Sequence, residues 1–344
     1  MGKAISEEFF NDFLEGRRLA GLAKRIRSDD TLMLALRGDS INVYYRGGNI
    51  LRLTEASTSY KAHFAEEYAK HDLPRLEALA LPKNISTEND CEAWLDALPT
   101  LKEIMNFHRA GESKSEREFQ QLVAWENNRS SISNDTEYFI TDIEHSVTID
   151  GLIMRADMVG LKWPAGKRSG AGQCTPVLIE MKYGTNALAS SSSSKAKGSG
   201  IKDHFDDFCH FFGVDEGGDR FATNKRVEDL RRNIALQFQQ LWHLKLIRFN
   251  ESQKFLSNKG LPNVIGQPEI IFLLANNNPR STALDTAIRS IPESKTEAAK
   301  PHFDLRFFAS SFAGYGMHDA CMLTRDQILN QLKSAKTMAS SEAG

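Results

Sequence analysis

Cysteine is scarce in this chain: Cys91, Cys174, Cys209 and Cys321 are spread over 344 residues, and no two form a C-x-x-C pair. That excludes a disulfide framework and a zinc ribbon. Long apolar runs are missing too, none approaching the roughly 18 residues that a membrane-spanning helix needs. The opening segment MGKAISEEFFNDFLEGRR is acidic and amphipathic, without the apolar centre of a signal peptide. Charge of one sign is not in excess, since the net charge is −2. A globally basic, histone-like or coat-like nucleic-acid binder is therefore excluded, whereas a local basic groove is not. These absences predict a soluble protein of a reducing, cytoplasmic compartment with no membrane partner.

Composition allows a sizeable core, because 41% of residues are hydrophobic and 26% charged, near the average for globular proteins. The length suits one large domain or two ordinary ones. Residues 1–112 read as an N-terminal α/β module. Helical spacing over 5–27 brings Phe9, Phe10, Phe13, Leu14 and Leu19 into one stripe. TLMLALRGDSINVYYRGGNILRLT reads as successive strands with glycine turns at RGDS and RGGN, and helices are expected around 58–71 and 89–109. The Arg-Gly-Asp triplet is read as a turn. The small, polar stretch AGESKSERE (110–118) marks the expected boundary.

Residues 113–344 read as a second unit. SEREFQQLVAWEN is a helix with Phe119, Leu122 and Val123 on one face. EYFITDIEHSVTI and LIMRADMVGLKW are strands joined at Asp150-Gly151, and TPVLIEMKY is a third. A serine-rich loop follows at 185–202. RVEDLRRNIALQFQQLWHLKLIRF is a long amphipathic helix, PEIIFLLANN and HFDLRFFASSF are strands, and TRDQILNQLKSAK is a closing helix. Helix, three strands, helix, strand is an α/β order. The cluster DHFDDFCH has no standard zinc spacing and reads as a capped amphipathic helix, and GYGMHD reads as a turn.

One strand breaks the packing rule. VLIEMKYG starts apolar and then presents Glu180 and Lys182. Alternation puts both on one face with Leu178, and in the preceding strand Asp157 shares a face with Arg155 and Val159. If those strands are neighbours, Asp157 stands beside Glu180. Two converging carboxylates suit a hard divalent cation, and a nearby lysine can orient water or stabilise phosphate charge.

Asp157 followed by Glu180-Met181-Lys182 resembles the PD-(D/E)xK nuclease superfamily over roughly residues 114–280. The residue before Asp157 is Ala156 where many members carry proline. The resemblance implies a restriction-endonuclease-like mixed β-sheet flanked by helices. It also implies a Mg²⁺- or Mn²⁺-dependent nuclease, a DNA endonuclease of bacterial defence or restriction rather than an RNA enzyme. Asp157 and Glu180 would bind the metal with the Met181 carbonyl as a third ligand, and Lys182 would position the attacking water. Glu116, or Glu118 close behind it, would support the hydrated metal. RecB-like members also place a glutamine of the crossover helix at the site. Here Gln237, Gln239 and Gln240 are available, and Gln237 and Gln240 share a face with Leu241 and Leu244.

The expected partner is nucleic acid. Between Gly160 and Lys202 seven cations, among them Lys162, Lys167, Arg168, Lys195 and Lys197, face Glu180 alone. Together with Arg155, which would touch phosphate or neutralise the carboxylates, they would follow a phosphate backbone. The N-terminal module would recognise a target, hold a protein partner or mediate self-association. The competing expectation is a nuclease-fold binding or assembly protein without catalysis, signalled by splayed carboxylates or by a Lys182 turned away from them.

Overall fold

The computed structural model describes residues 4–110, 116–133, 135–149, 152–164, 167–168, 173–184, 187–188, 200–214, 220–248, 260–276, 282–310, 317 and 322–341. These form a mixed α/β structure with two five-stranded sheets and ten helices.

The first sheet is an antiparallel meander of β1 (Leu32–Leu36), β2 (Ser40–Tyr45), β3 (Gly48–Glu55), β4 (Tyr60–His63) and β5 (Asn84–Ile85). Around it lie α1 (Glu7–Asn11), α2 (Ala20–Ser28), α3 (Leu73–Ala78) and α4 (Glu88–His108). Thr87 and Asp90 close a reciprocal cap at the start of α4, satisfying N–H groups that the helix itself leaves unpaired. Two expectations are corrected here. The single helix over 5–27 is two helices, because the chain turns through Gly16 at φ 72°. The helix expected over 58–71 is the strand β4 followed by one 3₁₀ turn, Glu66–Ala69, since pairing with both β3 and β5 overrides local preference.

The second sheet has the order β10-β9-β8-β7-β6, built from β6 (Tyr138–Ile149), β7 (Leu152–Lys162), β8 (Thr175–Tyr183), β9 (Glu269–Ala275) and β10 (Asp304–Ser310). β6, β7 and β8 are antiparallel neighbours, while β8, β9 and β10 run parallel. The parallel half requires crossovers. One carries α6 (Ile201–Phe211) and α7 (Arg220–His243), the other α8 (Thr282–Arg289) and α9 (Glu293–Ala299). α5 (Glu116–Asn128) precedes the sheet and α10 (Arg325–Ser341) follows it.

Strand alternation sorts the core into two layers. Val177, Ile179 and Met181 of β8 pack with Phe119, Val123 and Ala124 of α5. Leu178 faces the other way, into a cluster shared with Phe205 and Phe208 of α6 and Phe238 of α7. Leu122, expected on the buried face of α5, is instead exposed. The larger cluster is continuous from Phe9 and Leu22 of the N-terminal helices to Phe303. The two sheets thus share one apolar interior.

Gly160 sits where β6 bulges between Ile140 and Asp142. A Cβ there would meet the Phe139 carbonyl oxygen at 2.0 Å, so only glycine permits this approach.

Candidate active site

β8 is the hinge of the second sheet, antiparallel to β7 on one side and parallel to β9 on the other. Its ladder with β7 stops at Met158–Ile179. Continued by one step, the register sets Asp157 against Glu180. There the Asp157 carboxylate accepts the Met181 N–H at 2.7 Å, taking the place of a main-chain partner.

Glu180 and Lys182 extend the row begun by Leu178, and both are buried, at 2% and 4% exposure. Lys182 Nζ donates to Glu180 Oε1 at 2.7 Å. His204, on α6, brings its Nε2 within 3.0 Å of the same oxygen. Glu180 Oε2 is buried and makes no hydrogen bond among the described residues. From α5, Glu116 accepts the Tyr183 N–H at 3.1 Å, and Phe119 stacks on the Tyr183 ring at 4.0 Å to fix that helix over the end of β8.

These groups open on a cleft of about 840 Å³. Glu116, Asp157, Glu180 and Lys182 line it together with His204, Asp207, His145 and three arginines, Arg109, Arg117 and Arg155. Arg109 follows directly after α4, so the N-terminal part of the chain supplies some of the wall.

Three acids crowded around one lysine resist ionisation. Burial lifts Glu180 to about 7, against the opposing pull of Lys182 and of the nearby Asp157 backbone N–H. Asp157 is held well above the ordinary carboxylate range by burial and by the charges of Glu180 and Glu116. Glu116 is raised as well, chiefly by burial, with Lys182 opposing. Concentrated negative charge in a desolvated cleft is unfavourable unless a cation or a proton offsets it.

The donor set fits a hydrated hard cation. Among the described residues no three of His, Cys, Asp and Glu form a ready-made metal cage. Mg²⁺ does not need one, because it keeps several waters and binds through about one or two carboxylates plus substrate oxygens. The unpartnered, buried Glu180 Oε2 is the kind of atom that such an ion would satisfy.

The remaining residues singled out in the sequence lie elsewhere or play other parts. Glu118 is turned toward Arg46 at 3.1 Å, and of the two helix glutamates it is Glu116 that borders the cleft. Gln237 is buried and donates to the Leu36 carbonyl at 3.3 Å, so it serves the contact between the sheets rather than the cleft. Gln239 and Gln240 bond Gly260 and Ile5. Met181 packs its side chain in the α5 layer and directs its N–H at Asp157. Lys162 pairs with Glu269 at 3.1 Å, at the start of β9, whereas the cleft opens where β8 ends. Arg168 is buried, donating to the Trp163 carbonyl at 2.8 Å and lying over the Phe139 ring, so it braces the sheet and is not available to a phosphate. Lys167 is exposed but does not border the cleft, while Arg155 does both. Lys195 and Lys197 lie outside the described residues.

Sequence reasoning sets His204 and Asp207 aside with the DHFDDFCH helix and does not find His145, Arg109 or Arg117. His204 and Asp207 had a usable signal, since they stand three apart on a helix whose other side, Phe205, Phe208 and Cys209, is buried. Arg109 had none, because only the packing of the N-terminal part against the second sheet brings it in; His145 enters through the register of β6 with β7, where it pairs with Ala156 beside Asp157.

No protein-family model matches the chain, and neither does any curated protein or any solved structure. The reading of the cleft therefore rests on its own residues.

Proposed function

We propose that this protein is a metal-dependent phosphodiester hydrolase, a DNA endonuclease of the PD-(D/E)xK type with a restriction-endonuclease-like second sheet. One observation carries the proposal: Asp157, Glu180, Lys182 and Glu116 border one cleft with Arg109, Arg117 and Arg155. Acids able to hold a cation and arginines able to hold flanking phosphates suit metal-assisted phosphodiester cleavage.

In this reading Asp157 and Glu180 would hold Mg²⁺ or Mn²⁺, and Glu116 would accept hydrogen bonds from the ion's water shell. When bound, the ion supplies Lewis-acid polarisation of the phosphate and makes water a better nucleophile. Lys182 orients the attacking water and donates to the oxygen on which charge accumulates as the bond to the leaving oxygen breaks. The arginines fix the backbone in register without reading sequence. One such cleft cuts one strand, so double-strand cleavage would call for two copies of the chain. Bacterial defence or restriction is the role that suits such an enzyme, by analogy of chemistry. A binding protein without catalysis is disfavoured, because Lys182 is turned toward Glu180 and Asp157 stands at the adjoining register position.

The test is cleavage of supercoiled plasmid, linear duplex, single-stranded DNA and RNA with Mg²⁺ or Mn²⁺, against EDTA. Cutting should need the metal and fall by at least about 10²-fold in Lys182→Ala, the scale of losing one charge-stabilising donor. Asp157→Ala should abolish it. Cutting that survives both substitutions would refute the assignment.

A further inference from the structure

α6 is the element to which the hydrolase reading gives no part, although His204 and Asp207 both border the cleft. The helix is locked on two sides. Its apolar side is buried, with Phe208 meeting Phe272, the residue of β9 that pairs with Glu180, at 6.4 Å between ring centroids. Elsewhere along it, Asp206 accepts a hydrogen bond from Lys295 of α9 at 2.8 Å, beside one from Lys202 of its own helix. These contacts set the rotation of α6 about its axis and bring the imidazole of His204 to Glu180, 15% exposed.

Two donors then converge on one carboxylate oxygen, Lys182 Nζ at 2.7 Å and His204 Nε2 at 3.0 Å from Oε1. The second oxygen, Oε2, is buried and has no hydrogen-bond partner among the described residues. We propose that His204 is a positioning residue that, with Lys182, pins Glu180 Oε1 so that Oε2 is presented to the divalent cation. This rests on the metal-dependent reading of the cleft and adds to it a residue from the crossover. An imidazole N–H suits the task, because it orients the carboxylate without drawing a second lysine-like charge into the cation's place. With His204 removed, Lys182 and the nearby Asp157 N–H are left to hold the carboxylate, which can then turn and exchange its two oxygens.

The experiment is calorimetric titration of chelator-stripped protein with Mn²⁺, comparing wild type, His204→Ala, His204→Gln and Asp157→Ala. Melting temperatures in EDTA run alongside as a check of folding. Outer partners of metal ligands typically set affinity by about 10–100-fold, and a loss of that size is expected in His204→Ala. His204→Gln, whose amide nitrogen extends to a similar reach, should recover most of it. Wild-type affinity in His204→Ala would overturn the proposal while leaving the hydrolase reading intact. So would a glutamine variant no better than alanine, or an equal fall of both melting temperatures, which would mark His204 as a packing residue. If wild type itself takes up no Mn²⁺, or if Asp157→Ala binds as well as wild type, the cation reading fails and the role of His204 fails with it.

Discussion

Arg37, in the turn between β1 and β2, forms an ion pair with Asp142 of β6, whose carboxylate is completely buried. The same guanidinium donates to the Ile143 carbonyl, and the second oxygen of Asp142 meets His145 Nδ1 at 3.0 Å. A residue of the first sheet thus orders the strand segment that brings His145 to the cleft.

Removing Arg37 leaves the buried Asp142 charge with only the His145 contact to offset it. Arg37→Met should lower stability by about 3–5 kcal/mol, read as a fall in the urea midpoint. Adding Asp142→Asn should recover much of that loss. If Arg37→Met unfolds at the wild-type midpoint, the pair does not join the sheets.

A second joint is made by the turn between β2 and β3. Gly47 has φ 71°, and its N–H donates to Gln121 of α5 at 2.9 Å. A Cβ at Gly47 would lie 2.5 Å from the Arg117 carbonyl carbon, next to Glu116. Gly47→Ala must therefore push the first turn of α5. We expect a stability loss of roughly 1–3 kcal/mol from the strained backbone. A further drop in DNA cleavage of about 10²-fold is expected, the usual result of moving a catalytic group by an ångström. Gly16→Ala is the control, since Gly16 has a similar φ of 72° with open space around its Cβ position. Equal effects of the two substitutions would show that the contact with α5 is immaterial.

The crowded acids predict an unusual pH response in EDTA. The folded protein holds Glu180 at about 7, above its ordinary value of 4.5. A raised carboxylate contributes its stability below the unfolded value and loses it as pH climbs through the folded one. The melting temperature of wild type relative to Glu180→Gln should thus fall between about pH 5 and about pH 8. Asp157 and Glu116 shift in the same direction and act in the same sense. Saturating Mn²⁺ should shrink the fall. A difference that stays flat across this range would mean that Glu180 titrates normally.

The heart of the cleft could be read from the sequence because strand alternation is simple physics. It set Glu180 and Lys182 on one face of an otherwise apolar strand, and a neighbouring strand then offered Asp157. Helix geometry gave Gln237 a face but not the element covering that face, which is the carbonyl of Leu36 some 201 positions away. Lys162 and Arg168 are near Glu180 in sequence and were grouped with it, but each is taken up by partners of its own, Glu269 and the Trp163 carbonyl. Proximity along a strand says little about which end of the sheet a charge serves. The strand β4 escaped notice because its pairing with β3 and β5, rather than its own composition, decides its conformation.

The bond pair between Ile5 and Gln240 has a consequence for how the protein is made. Gln240 accepts the Ile5 N–H at 3.2 Å and donates to the Ile5 carbonyl at 2.8 Å, across 235 positions of the chain. A ribosome adds about 5–20 residues per second, so Ile5 waits on the order of tens of seconds for the helix that receives it. During that interval Phe10, whose ring meets that of His243 at 6.1 Å in the finished protein, has no α7 beside it. Chaperones that shield nascent apolar segments would meet the segment around Ile5, whose docking must await the synthesis of α7.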